Sequence, residues 1–153
     1  TAAEINRRCD TSGRLIAAGS ALTVTQALHD GKIVLLDTAA GSTCTLPAAT
    51  GTGGVYTFMI SVIATSNSHI IKVANATDVI QGLVFVATTT SDVAEVFQTS
   101  ASSDTITLNR TTTGSVIRGE RFQIIDAVSG VFLCTGMTSA TRTEATPFSA
   151  TVA

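Results

Sequence analysis

Apolar residues along this chain fall in short runs separated by Ser, Thr, Gly, Asn and Asp, and no run sustains the 3.6-residue period of a long amphipathic helix. LTVT at residues 22–25 alternates with the two-residue period of a strand, and Asp30-Gly31 marks a turn before the apolar run at 33–36. Thr43, Thr45, Val55 and Thr57 are β-branched, which costs rotamer freedom in a helix and suits a pleated surface. Pro47 ends the first of these segments by removing a ladder donor, and Gly51, Gly53 and Gly54 permit a tight return into a strand from Val55 to about Ala64. Further strands are predicted at 69–73, 79–87 and 93–98, with turns around Asn67 and between Asn75 and Asp78. Gly82 reads as a bulge or a close-approach position.

The second half repeats the first in miniature. Thr105, Thr107 and Leu108 precede a polar loop containing Gly114 and Gly119, and Phe122, Ile124 and Ile125 follow it. The same order appears as Thr43, Thr45 and Leu46, then Gly51 and Gly54, then Phe58 and Ile60. Residues 126–130 read as a turn joining RFQIID to VFLCTG, and TPFSATVA supplies a terminal strand. About nine or ten short strands at this spacing predict an all-β fold: a β-sandwich, a jelly roll or a partly closed barrel. Phe58, Phe85, Phe97, Phe122, Phe132 and Phe148 are its expected large core residues. Residues 1–14 are polar and mixed in charge, so the expected organisation is an extended N-terminal arm and one β domain over 15–153.

Composition adds one constraint. Charged residues make up only 13% of 153 residues, roughly half the usual share, and mean hydropathy is +0.40. A domain facing water on all sides carries more charge, so part of the surface is expected to be covered by other subunits. The net charge of -2 argues against direct nucleic-acid binding, which needs clustered cations. The apolar runs are too short to span a bilayer as helices, and TAAEINRRCD lacks the apolar core of a signal peptide, which predicts intracellular synthesis. Cys9, Cys44 and Cys134 are odd in number and widely spaced, so they form no disulfide framework or C-x-x-C metal motif. Cys44 and Cys134 are expected in the core.

Catalytic groups are sparse. His29 lies beside Asp30, but no nucleophile signature accompanies the pair, so His29 is expected to serve turn polarity and His69 to end a strand or meet a subunit. Asp37 with Asp78, and Asp92, Glu95 and Asp104, are the carboxylates with a chance of approaching one another. There is no Trp, Tyr56 is the single Tyr, and no D-x-[DN]-x-[DN]-G run is present, which disfavours sugar stacking and an EF-hand calcium loop. GTGG at 51–54 is not a P-loop, because it precedes a strand. No catalytic residue, cofactor or metal is predicted, and physical association is the expected activity. Arg7, Arg8 and Arg14 in the arm, Thr50 and Thr52 in the loop 41–54, and Arg110 and Arg118 in the loop 109–119 are the expected contacts.

The pattern D-x-A-x-G-x-x-x-x-L-P-x-A-x-G-x-G at residues 37–53, together with HIIKVAN at 69–75, resembles small structural proteins of tailed bacteriophages, above all head decoration or capsid cement proteins. The resemblance runs from about Leu22 through Leu108 and continues more weakly through RGERFQIIDAVSGVF. It implies a non-enzymatic virion protein, made in the host cytoplasm and seated on the outer capsid surface, often as a homotrimer. Such a protein bridges capsomers of the major capsid protein and stabilises the expanded lattice. Similar strand and loop wording occurs in phage tail, baseplate and fibre components, which gives the alternative of a host-attachment module.

Overall fold

The computed structural model describes residues 13–90 and 93–152 and arranges twelve strands in two mixed sheets, an all-β fold. The strands are β1 (Leu15–Ala17), β2 (Ala21–Thr23), β3 (Lys32–Leu36), β4 (Thr43–Thr45), β5 (Val55–Ile60), β6 (His69–Lys72), β7 (Val79–Thr88), β8 (Ala94–Gln98), β9 (Thr105–Leu108), β10 (Arg121–Val128), β11 (Val131–Ala140) and β12 (Phe148–Ser149). β1, only three residues long, is the strand that the alternation does not reveal, whereas β2 and β4 fall where LTVT and the Thr43–Thr45 stretch place them. A single turn of helix, α1 (Gln26–His29), lies between β2 and β3. No helix among the described residues is long and apolar enough to cross a membrane.

The larger sheet has the order β1-β3-β5-β10-β11-β7-β8, and the smaller has β12-β9-β6-β4-β2. From β1 to β7, successive strands go alternately to the two sheets. That alternation makes β1, β3 and β5 parallel neighbours in one sheet and β2, β4 and β6 parallel neighbours in the other. Parallel neighbours need a crossover, usually a helix. Here each crossover is a strand of the opposite sheet. The second half closes the larger sheet with β10 antiparallel to both β5 and β11, and with a ten-residue parallel ladder between β11 and β7.

The miniature repeat has a structural counterpart. β4 and β9 lie on either side of β6 in the smaller sheet, and β5 and β10 pair directly in the larger one, with Phe58 opposite Phe122. Inward-facing Tyr56, Phe58, Ile60, Phe122, Ile124 and Phe132 meet Cys44, Ile71, Ile106, Leu108 and Phe148 from the other sheet in one continuous core. Each such large side chain contributes about 1.5–3 kcal/mol on burial. Burial pushes the Cys44 and Cys134 thiols up to about 12, so both are inert core residues, as the sequence implies.

Two expectations are corrected. Phe85 is not a core residue: strand alternation sends Val84 and Val86 inward and leaves Phe85 48% exposed. Asp126 does not begin a turn. β10 runs on to Val128 with an irregularity between Asp126 and Val128, so the connection to β11 shrinks to Ser129 and Gly130, and the Asp126 side chain is buried.

Gly82 is the close-approach position that its place in an apolar strand suggests. It faces Cys134 across the β7–β11 ladder at φ +154, and a Cβ there would overlap the Cys134 carbonyl. Gly82→Ala is expected to destabilise the protein by about 3 kcal/mol, measured from urea unfolding. A loss below about 0.5 kcal/mol would show that the ladder yields at this point.

Candidate functional site

The two loops expected to make contacts are both built on buried carboxylates. Residues 50–52 fold back over Asp126, whose Oδ1 accepts the N–H groups of Thr50 (3.0 Å) and Gly51 (2.8 Å). Its Oδ2 accepts the Thr52 N–H (3.1 Å) and the hydroxyls of Thr52 (2.7 Å) and Thr50 (3.3 Å). Gly51 adopts φ +72, which lets consecutive N–H groups converge into an anion-binding concavity. A glycine-rich loop of this shape suits a phosphate, but here the anion is the chain's own Asp126. Burial opposes the charged form of Asp126, but the Thr52 hydroxyl and the N–H groups of Gly51, Thr52 and Thr50 outweigh it and hold the carboxyl below its ordinary range.

Glu120 plays the same part in the other loop. Its Oε2 accepts the Ser115 N–H (2.6 Å), and its Oε1 accepts those of Val116 and Ile117 (2.8 Å each). Ser115 Oγ in turn accepts the Ala64 N–H (2.9 Å), tying the segment after β5 to this loop. At Glu120 burial wins over the hydrogen bonds from Ile117, Val116, Ser115 and Ser139, so its carboxyl is raised above the ordinary value. The two clamps therefore have opposite pH signs. Asp126 contributes stability that is lost as the pH falls through its lowered value; the charged form of Glu120 is disfavoured, so stability declines as the pH rises through its raised value.

The loops do not converge. Glu120 immediately precedes β10 and Asp126 lies within it, six residues on and about 20 Å along an extended strand. Thr50 and Thr52 are exposed at the Asp126 end. Arg14, also exposed, lies at the same end of the sheet but three strands away, because Leu15, Ile33, Thr57 and Gln123 are successive partners. Arg118 is exposed at the Glu120 end. Arg110 is half-buried there, with its guanidinium donating to the Thr65 carbonyl (2.6 Å). Arg7 and Arg8 lie outside the described residues.

The histidines and the remaining acids are structural. His29 Nδ1 accepts the Thr25 N–H (2.9 Å), whereas Asp30 accepts the Val55 N–H (2.8 Å), so the two form no His-Asp couple. His69 is fully buried and therefore no subunit contact. Its Nδ1 accepts the Ser42 N–H (3.0 Å), which leaves Nε2 to donate to the Val62 carbonyl (2.9 Å). Asp37 and Asp78 are not paired either: Asp37 holds the Gly19 N–H and Asp78 the Ala49 N–H. Asp104 accepts the N–H groups of Thr151 and Val152, Glu95 is exposed, and Asp92 lies outside the described residues. No group of three or more His, Cys, Asp or Glu able to hold a metal occurs among the described residues. Tyr56 is buried with its hydroxyl unpartnered beneath Gly54, and burial, then the Asp126 and Asp30 charges, raise its pKa, which keeps the phenol protonated.

Asp126, Glu120 and Tyr56 are absent from the contact residues expected from sequence, where Asp126 is read as a turn residue and Tyr56 only as the single Tyr. A signal for the two acids existed: Glu120, Phe122, Ile124 and Asp126 follow one another at period two, so the strand that buries both aromatic and aliphatic members buries both acids too. No protein-family model, curated protein or solved structure matches this chain.

Asp126→Ala removes five acceptor contacts and is expected to cost roughly 3 kcal/mol near neutral pH. That difference shrinks as the pH is lowered through the Asp126 titration, because the protonated acid is a weaker acceptor; urea midpoints across the acid range check both points. His69 titrates in a separate window. Burial lowers its pKa, against smaller opposing effects of the Val62 hydrogen bond and the Asp37 charge. Its stabilising contribution is complete above the unfolded value of about 6.5 and is lost as the pH falls below it. In His69→Gln the unfolding midpoint is expected to change less between pH 7.5 and 5.5 than in the parent, by urea titration.

Proposed function

We propose that this chain is a structural virion protein that decorates the outer surface of a bacteriophage capsid and stabilises the expanded lattice by bridging copies of the major capsid protein. The observation that carries the reading is the loop at 50–52, exposed to solvent yet held by the five hydrogen bonds it donates to a single buried carboxylate. A loop fixed in advance loses little conformational entropy on docking, so even a modest contact area binds usefully. The resemblance to decoration proteins rests on the same segment, residues 37–53. With the second clamped loop at the far end of β10, one subunit has rigid contacts on two sides, as a bridge between capsomers requires. The core shared by the two sheets supports a sandwich; five parallel strand pairings depart from the antiparallel pattern of a jelly roll.

The mechanism is linkage. A subunit that contacts the expanded lattice across its seams, and not the unexpanded one, favours expansion by the free energy of that contact. Several contacts from one homo-oligomer, a trimer in this reading, multiply through effective concentration. The parallel winding of β1 to β6 between two sheets is a specific feature in favour of the second reading, a tail, baseplate or fibre module, because elongated β modules stack strands in this way. Copy number per particle separates the two: hundreds indicate a shell protein, a few dozen or fewer a tail device.

Removal of residues 1–14 is expected to leave the β domain folded and to weaken occupancy on expanded capsids, measured by co-sedimentation. Stoichiometric binding at unchanged affinity would exclude the arm from the contact.

A further inference from the structure

The outward face of the larger sheet carries exposed apolar side chains that the two clamped loops do not use. On it, Met137, Phe85 and Val96 are successive partners across β11, β7 and β8, and they are 59%, 48% and 49% exposed. Leu133, four residues before Met137 on the same face of β11, is 45% exposed. With the half-buried Leu83 between them, these side chains form a contiguous apolar patch on the order of 500 Å². Among the described residues, the only charge at the outward positions of β10, β11, β7 and β8 is Arg121, at the margin of the patch.

We infer that this face is covered by a second copy of the same chain. Area is the first argument: two such patches pressed together bury about 1,000 Å², the lower bound for a specific interface, before any rim is counted. Charge is the second. A hetero-partner is steered and selected by complementary charge, which this patch does not offer, whereas contacts between identical chains are the more apolar class. Shape is the third, since neighbouring strands in register present a broad surface that another sheet face can match. The same contact repeated around a closed axis gives the homo-oligomer proposed above, and it rests on that reading only for its biological setting.

Light scattering on the free full-length chain tests the inference without any capsid. The expected mass is two or more times 15.6 kDa. Phe85→Glu combined with Met137→Glu is expected to reduce it to 15.6 kDa with the β circular-dichroism spectrum retained. A monomeric parent at the highest concentration reached, or a folded double variant that stays oligomeric, overturns the inference. Should the double variant fail to fold, Thr135→Cys, outward on the same face, provides the second test. Its added thiol is expected to react slowly in concentrated protein and faster on dilution; equal rates at all concentrations overturn the inference. Capsid co-sedimentation is a separate assay, so self-association and capsid binding fail independently.

Discussion

The inward row of β10, Glu120-Phe122-Ile124-Asp126, is the constraint on which the rest of the molecule depends. Its middle is a hydrophobic strand centre, with Phe122 opposite Phe58 and Ile124 opposite Tyr56. Its two ends are carboxylates brought inside with the same strand, and a buried carboxylate must be hydrogen-bonded. Each end collects a loop for that purpose: residues 50–52 at one and 115–117 at the other. One strand thus positions both the core and the two exposed loops. A one-residue insertion between Phe122 and Ile124 would send the two halves of the row to opposite faces and release one of the loops.

This arrangement follows from the parallel winding. A chain that alternates between sheets crosses the open end of the core at every connection, and without helices those crossings leave backbone N–H groups at the edge of an apolar interior. Acidic side chains satisfy them: Asp37 at Gly19, Asp30 at Val55, Asp78 at Ala49, Asp104 at Thr151 and Val152, and the β10 pair. Six of the eleven acids in the chain therefore hold backbone within the molecule. They explain why loops rich in Gly, Ser and Thr, which cannot contribute hydrophobic anchoring, nevertheless take one conformation.

The strands, the core cysteines, the absence of a long helix, and the internal repeat were legible in the sequence because each is a local pattern of period two or of residue type. Strand order was not, since β2 and β4 are three residues long and nothing local distinguishes a hairpin from a crossover through a second sheet. The exposed Phe85 and the buried Asp126 share one explanation. Both were assigned by residue type, aromatic to the core and acidic to a turn, whereas the register of their strands decides the matter and sends each the other way. For the candidate site, exposure of Thr50 and Thr52 was legible, but the clamp beneath them joins residues more than seventy positions apart and becomes visible only with the fold.

The low charge of the chain acquires a sharper meaning from the same geometry. Read as composition, 13% charged residues describe a sparsely charged surface. With four acids buried, Asp78, Asp104, Glu120 and Asp126, the surface is poorer in negative charge than composition implies, and the outward face of β11, β7 and β8 has no charge of either sign at its centre. Solubility of a free monomer would then rest on Thr and Gln side chains flanking Phe85, Leu133 and Met137, a weak screen for a patch of that size. Covering the patch removes the difficulty without adding a charge, and it leaves the two clamped loops, at the ends of the sheet, free to face a larger partner. Assembly through the face and docking through the loop ends are thus compatible uses of one sheet.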